Sequence, residues 1–186
     1  AGSFAYSVRA GGPEIYTADF DPDSGKVTGK PVMLSDRRPG FNAGPRLSPD
    51  GSRLAYFTPA GDQEIRVTIR DLASSAERTL PSPLRGDPRV PSAVWTPDGS
   101  KLLLEQRTER GAIELFWLDA QSGQMTLFRT IERAGGQLSP QLSADGKTLY
   151  LSVRERPDQV QSVIALDVAS GQQRTLYKGT AQRGGL

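Results

Sequence analysis

The chain contains neither cysteine nor histidine. Without cysteine there is no disulfide, no thiolate nucleophile and no cysteine metal cage. Without histidine the commonest general base, zinc ligand and pH switch are missing together. A Ser-His-Asp triad cannot be built within the chain. No Gly-x-Ser-x-Gly elbow occurs, and no glycine-rich phosphate loop opens a helix. No apolar run approaches the roughly 18 residues of a membrane-spanning helix. Neither sign of charge dominates. The 23 basic and 21 acidic residues leave a net charge of +2, spread along the chain rather than gathered into a nucleic-acid footprint. What remains is 186 residues, 36% hydrophobic, too apolar for a disordered tail and long enough for a real core. These absences lead us to expect a non-catalytic chain with no cofactor, no nucleic-acid partner and no membrane span.

What the chain does have is repetition. It reads Leu47-Ser48-Pro49-Asp50-Gly51, then Trp95-Thr96-Pro97-Asp98-Gly99, then Leu142-Ser143-Ala144-Asp145-Gly146. The Asp-Gly pairs lie 48 and 47 residues apart, a period that signals a solenoid, a propeller or an array. A second marker runs in the same register: Asp21-Pro22-Asp23-Ser24-Gly25, Asp71-Leu72-Ala73-Ser74-Ser75, Asp119-Ala120-Gln121-Ser122-Gly123 and Asp167-Val168-Ala169-Ser170-Gly171. Its aspartates are 50, 48 and 48 residues apart. Each reads as a tight turn, with the aspartate accepting local backbone hydrogens and glycine tolerating positive φ.

Short apolar runs sit between these markers, too short for core helices and suited to strands. Arg53-Leu54-Ala55-Tyr56-Phe57, Lys101-Leu102-Leu103-Leu104 and Thr148-Leu149-Tyr150-Leu151-Ser152 follow the Asp-Gly turns. Alternating runs through Ile65, Val67 and Ile69, through Ile113, Leu115 and Trp117, and around Val163 and Ala165 come next. The predicted unit is therefore four antiparallel strands, A to D, with Asp-Gly between A and B and Asp-x-x-Ser-Gly between C and D. The units fall at about 4–34, 44–80, 92–128 and 139–177, within one domain over 1–186. The first has strands at Phe4–Val8, Glu14–Ala18 and Val32–Leu34 but no strand A. Residues 178–186 read as a polar tail. One such sheet cannot bury both its faces, so the units must stack.

The Pro-Asp-Gly copies resemble the WD40-like PD40 repeat of the TolB propeller family, over roughly residues 4–178. The resemblance implies an all-β fold, a β-propeller or a fragment of one, with about four blades and the first incomplete. It makes Asp50, Gly51, Asp98, Gly99, Asp145 and Gly146 structural turn residues, with Ala144 standing where the family has proline. Asp21, Gly25, Asp119, Gly123, Asp167 and Gly171 are the corresponding turn residues of the second marker. The resemblance further implies a protein partner and a bacterial periplasmic or envelope setting. Two other settings go with it: a non-catalytic domain fused to a serine peptidase, or the sensor part of a regulatory protein.

Three candidate sites stand against this frame. The loops between strands B and C and between units carry Arg85, Arg89, Arg107, Arg110, Arg133, Arg154 and Arg156, a candidate protein-binding rim interleaved with Asp62, Asp87, Glu109, Glu132, Glu155 and Asp158. Trp95 and Trp117 read as packing between blades. Exposed blade ends invite self-association as a homodimer. Asp19, Asp21 and Asp23 have the spacing that opens a calcium loop, but residues 26–30 supply no late carboxylate. The same place is a plain turn in the other copies. A hairpin turn needs no ion, so the melting midpoint should be the same with and without chelator. A midpoint that falls on chelation would restore the calcium reading.

Overall fold

The computed structural model of the chain describes residues 2–9, 13–34, 42–61, 63–82, 84–85, 92–108, 111–132, 138–155 and 160–180. Their regular structure is strand, arranged as four antiparallel sheets. Blade 1 has three strands, β1 (Gly2–Arg9), β2 (Pro13–Asp21) and β3 (Lys26–Met33). Blade 2 holds β4 (Ala43–Leu47), β5 (Arg53–Pro59), β6 (Ile65–Asp71) and β7 (Glu77–Leu80). Blade 3 holds β8 (Ala93–Trp95), β9 (Lys101–Arg107), β10 (Ile113–Asp119) and β11 (Met125–Ile131). Blade 4 holds β12 (Gln141–Leu142), β13 (Thr148–Glu155), β14 (Val160–Asp167) and β15 (Gln173–Thr180). Order in every sheet follows order in sequence. Among the described residues no helix is long and apolar enough to cross a membrane.

Period-two alternation explains the packing. In strand B, residues four and six places after the turn aspartate face the preceding blade, and those five and seven places after it face the following one. Leu54 and Tyr56 accordingly join Ile15 and Leu34 of blade 1. Ala55 and Phe57, on the other face of β5, join Trp95, Leu102 and Leu104 of blade 3. Leu103 joins Leu149, Leu151 and Val153 of blade 4. Each seam is thus a separate apolar cluster, and the middle sheets are buried on both faces. Trp95 is 7% exposed within the second seam. Trp117 packs in the third, its ring centroid 5.3 Å from that of Phe128.

Both outermost strands at the chain's ends run longer than the apolar pattern predicts. Strand D of the first unit, expected at 32–34, begins at Lys26, because Asp21↔Lys26, Phe20↔Val27 and Asp19↔Thr28 pair directly out of the turn. The last strand runs to Thr180, three residues into the expected tail, through Ser162↔Lys178, Gln161↔Gly179 and Val160↔Thr180. An outer strand needs only its neighbour's backbone. Its polar, exposed residues therefore leave no hydrophobic signal.

Stacking of this kind makes stability depend on seam residues. Phe57, 1% exposed between blades 2 and 3, should cost about 3–5 kcal/mol when cut to alanine. Denaturant unfolding monitored by circular dichroism measures this, and a loss under about 1 kcal/mol would contradict the seam as the source of stability.

Candidate functional site

Antiparallel order sends the A–B and C–D turns to one rim of each sheet and the B–C and D–A connections to the other. The two rims are built differently. On the turn rim, Asp50 Oδ1 accepts the Ser48 hydroxyl at 2.5 Å and the Ser52 amide at 3.1 Å, while Gly51 N donates to Ser48 O at 2.9 Å. Ser48 Oγ in turn accepts Arg53 N at 2.9 Å. Thr96 with Asp98 and Ser143 with Asp145 repeat the arrangement, at 2.6 Å each. These hydroxyl bonds hold the Asp50 and Asp98 carboxyls down at about 2, and Asp145 below the usual carboxylate range. The hydroxyl partner was missed in the sequence reading, although Ser48, Thr96 and Ser143 stand two places before each aspartate.

The C–D turns follow their own rule. Gly25, Gly123 and Gly171 donate to the carbonyls of Asp21, Asp119 and Asp167, each at 2.9 Å. Ser122 N and Ser170 N each donate to the aspartate Oδ1 at 2.7 Å, and Ser74 N does so to Asp71. Asp21 accepts the Asp23 amide at 3.1 Å and the Ser24 hydroxyl, so its oxygens serve its own turn. Asp19 and Asp23 are exposed. Among the described residues no three His, Cys, Asp or Glu side chains are placed to hold a metal ion.

Turns of one blade also lock onto the next. Arg78 of β7 donates to the Ala120 and Gln121 carbonyls in blade 3's C–D turn. Arg129 of β11 donates to Gly171 O and Gln173 Oε1 of blade 4, both at 2.9 Å. Arg53 donates to Gly99 O at 2.7 Å and lies 5.0 Å over the Trp95 ring. Trp95 Nε1 donates to Arg46 O at 2.9 Å, and Arg46 Nε returns a bond to Ala93 O at 3.0 Å. Gly146 has φ +70°, and a Cβ there would come within 3.2 Å of Pro97 in the preceding blade. That glycine is therefore required twice, by its backbone and by its neighbour.

Two of the candidate arginines fall on the opposite rim. Arg85, in the D–A connection of blade 2, and Arg107, at the end of β9, are exposed and are brought together by Gln106. Gln106 Oε1 accepts Arg85 N at 2.8 Å, and Gln106 Nε2 donates to Arg107 O at 2.6 Å. Glu64 lies 3.9 Å from the Arg85 guanidinium. Arg154 lies on β13 with its side chain outside the described residues, and Arg89, Arg110, Arg133 and Arg156 lie outside them altogether.

Beneath this patch the sequence reading missed a buried acid. Glu105 stands seven places after Asp98, the position Phe57 fills in blade 2, and is 5% exposed. Its Oε1 accepts Leu138 N at 3.2 Å, and its Oε2 has no hydrogen-bond partner. Burial pushes this carboxyl up to about 7, against the opposing pull of the Leu138 amide and the Arg107 charge. The only sequence signal was a charge in the place of an apolar residue.

No family model and no curated protein matches the sequence. Solved structures do. Over 94% of its length the chain superposes on TolB from Acinetobacter baumannii, with TM-score 0.69 and 21% identity. Over 95% it superposes on the putative TolB from Agrobacterium tumefaciens, with TM-score 0.68 and 22% identity. Its fold is that of a TolB-like β-propeller. The chain spans 40% of the first of those proteins and 61% of the second. The β-propeller domain of the Trilobed protease from Pyrococcus furiosus is also similar in fold, with TM-score 0.59, 14% identity, and 94% of this chain against 53% of that one. The propeller's four described blades thus expose one rim of self-satisfied turns and one rim bearing Arg85 and Arg107.

Glu105 should make the stability of this fold depend on pH. Its carboxyl rises from an ordinary 4.5 to about 7 on folding, so burial is tolerated while it is protonated. Stability is full below the unfolded value, falls as pH rises toward 7, and levels off above. The expected loss is on the order of 3 kcal/mol. Urea unfolding from pH 4.5 to pH 8 should show that fall in the parent and its near absence in Glu105→Gln. Equal slopes in both would rule out Glu105 as the source.

Proposed function

We propose that the chain is a non-catalytic propeller segment that binds another protein, in a bacterial periplasmic or envelope setting. The observation carrying this reading is the division between rims. Turn-rim polar groups are consumed by their own hairpins and by neighbouring blades. On the opposite rim Arg85 and Arg107 stand exposed, and Gln106 ties their backbones together. Two exposed guanidiniums, Arg85 in a connection beside Glu64 and Arg107 at the end of β9, favour planar acceptors, above all carboxylates. The partner surface is therefore acidic. The absence of histidine and cysteine from the sequence supports a role without chemistry of its own.

A second reading draws on the fold shared with a propeller domain of a protease. Here the chain is an accessory propeller beside a serine peptidase domain. A Gly-x-Ser-x-Gly segment elsewhere in the gene product would favour that reading, whereas a winged-helix or membrane segment would favour a sensor.

The binding reading is tested with an acidic probe. A polyglutamate peptide should shift the backbone amide resonances of Arg85, Gln106 and Arg107, and more weakly as salt rises. The double variant Arg85→Glu and Arg107→Glu should weaken binding at least tenfold, with melting unchanged at pH 5, where Glu105 is protonated. Shifts centred on the turn rim, or no loss in the double variant, would overturn the assignment.

A further inference from the structure

The three seams between described blades are not closed in the same way. At the second, Arg78 of β7 donates to the Ala120 and Gln121 carbonyls of the next C–D turn. At the third, Arg129 of β11 donates to Gly171 O and Gln173 Oε1. The ladder register locates the same places at the first seam. Arg78 pairs with Ile69, two places before Asp71, and Arg129 pairs with Leu115, four places before Asp119. Two and four places before Asp21 stand Asp19 and Thr17, which pair with Thr28 and Val32. Neither Thr28 nor Val32 carries a guanidinium. The matching acceptors in blade 2 are the Leu72, Ala73 and Ser75 carbonyls. Glu77, in the place of Gln173, is already taken by Arg70 at 2.7 Å and by the Tyr56 hydroxyl at 2.9 Å.

Where the other seams hold an arginine, the first holds a cavity of about 360 Å³. Lys30, Val32 and Met33 line it from blade 1, and Leu47, Leu72 and Ser75 line it from blade 2. Strand β3 makes the room. Strand D of blades 3 and 4 leaves one residue unpaired, Phe128 and Leu176. On β3 three residues, Gly29, Lys30 and Pro31, stand opposite Ala18 alone. Gly29 turns there at φ +86°, and Pro31 has no amide to give the ladder. Such bulges re-aim side chains. Lys30 and Asp19 both border the cavity, both are exposed, and neither belongs to an ion pair among the described residues. Arg70, the other cation at the wall, is neutralised by Glu77.

We infer that this cavity binds a small ligand with a guanidinium on an aliphatic stem and a carboxylate at its other end. Free arginine and the C-terminal arginine of a peptide share that chemistry. The guanidinium takes the role that Arg78 and Arg129 have at the other seams, against the turn carbonyls and Asp19. Its five donors in a planar fork suit several acceptors at once. Val32, Met33, Leu47 and Leu72 cover the stem, and Lys30 meets the carboxylate. The volume lies at the small end of ligand cavities. The site does not rest on the acidic-partner reading, because Arg85 and Arg107 lie on the opposite rim.

The test is titration of the full chain with L-arginine, followed by backbone amide resonances and calorimetry. Shifts should centre on Lys30, Leu72 and Ser75. Citrulline, which keeps the shape without the charge, and agmatine, which lacks the carboxylate, should each bind about tenfold more weakly or worse. A peptide ending in Ala-Ala-Arg that binds equally well assigns the site to chain termini, and its exclusion assigns the site to the free amino acid. Thr28→Arg supplies the missing clamp from within the chain, so it should abolish arginine binding and raise the melting midpoint. Asp19→Asn should weaken arginine and agmatine alike, whereas Lys30→Ala should weaken arginine and not agmatine. No heat or shift at about 10 mM arginine, equal binding of arginine and citrulline, or undiminished binding in Thr28→Arg would overturn the inference. Polyglutamate carries no guanidinium, so this result and the peptide-binding result can each fail alone.

Discussion

Every feature of this protein depends on one constraint: a small antiparallel sheet with two apolar faces has to hide both. Four short strands cannot close on themselves, and water penalises each face by the area it leaves bare. Stacking sheets face to face answers the constraint, and each added sheet creates the same need one step further on. The middle blades are buried on both sides for this reason. Among the described residues, most of the large apolar side chains that reach solvent lie on the first and last blades.

Stacking alone does not set the angle or register between sheets. That is the work of polar contacts at the turn rim, where arginines from one blade hold the turn carbonyls of the next. The same turns are pinned internally by an aspartate, a hydroxyl and a residue at positive φ. In three copies of the C–D turn that residue is glycine, and in blade 2 it is Ser75, with φ near +61°. A left-handed serine is tolerated where the remaining turn bonds over-determine the backbone. One rim is therefore spent on architecture, and the other is the rim to which we assign recognition.

Glu105 is the exception within the seams. It occupies the place of Phe57, and it is buried with one carboxylate oxygen unbonded. A buried carboxyl in an apolar seam stays neutral more readily than it ionises. Its position beneath Arg107 puts a pH-sensitive element under the candidate binding rim.

Much of the fold was legible in the sequence. Two turn markers in one register established the number of units, the strand order and the antiparallel pairing, because turn chemistry and strand alternation are local rules. The incomplete first blade was legible for the same reason, since no Asp-Gly turn precedes Phe4. Strand ends were not. Lys26 to Thr28 and Lys178 to Thr180 pair with the neighbouring strand without entering an apolar seam, which no hydrophobic pattern records. Nor could the sequence separate Arg78, Arg129 and Arg53, which clamp seams, from Arg85 and Arg107, which face solvent. All five look alike as isolated charges. Their roles diverge only once the stack sets which carbonyls lie within reach across a seam, and that distance between residues some 40 positions apart belongs to the tertiary structure.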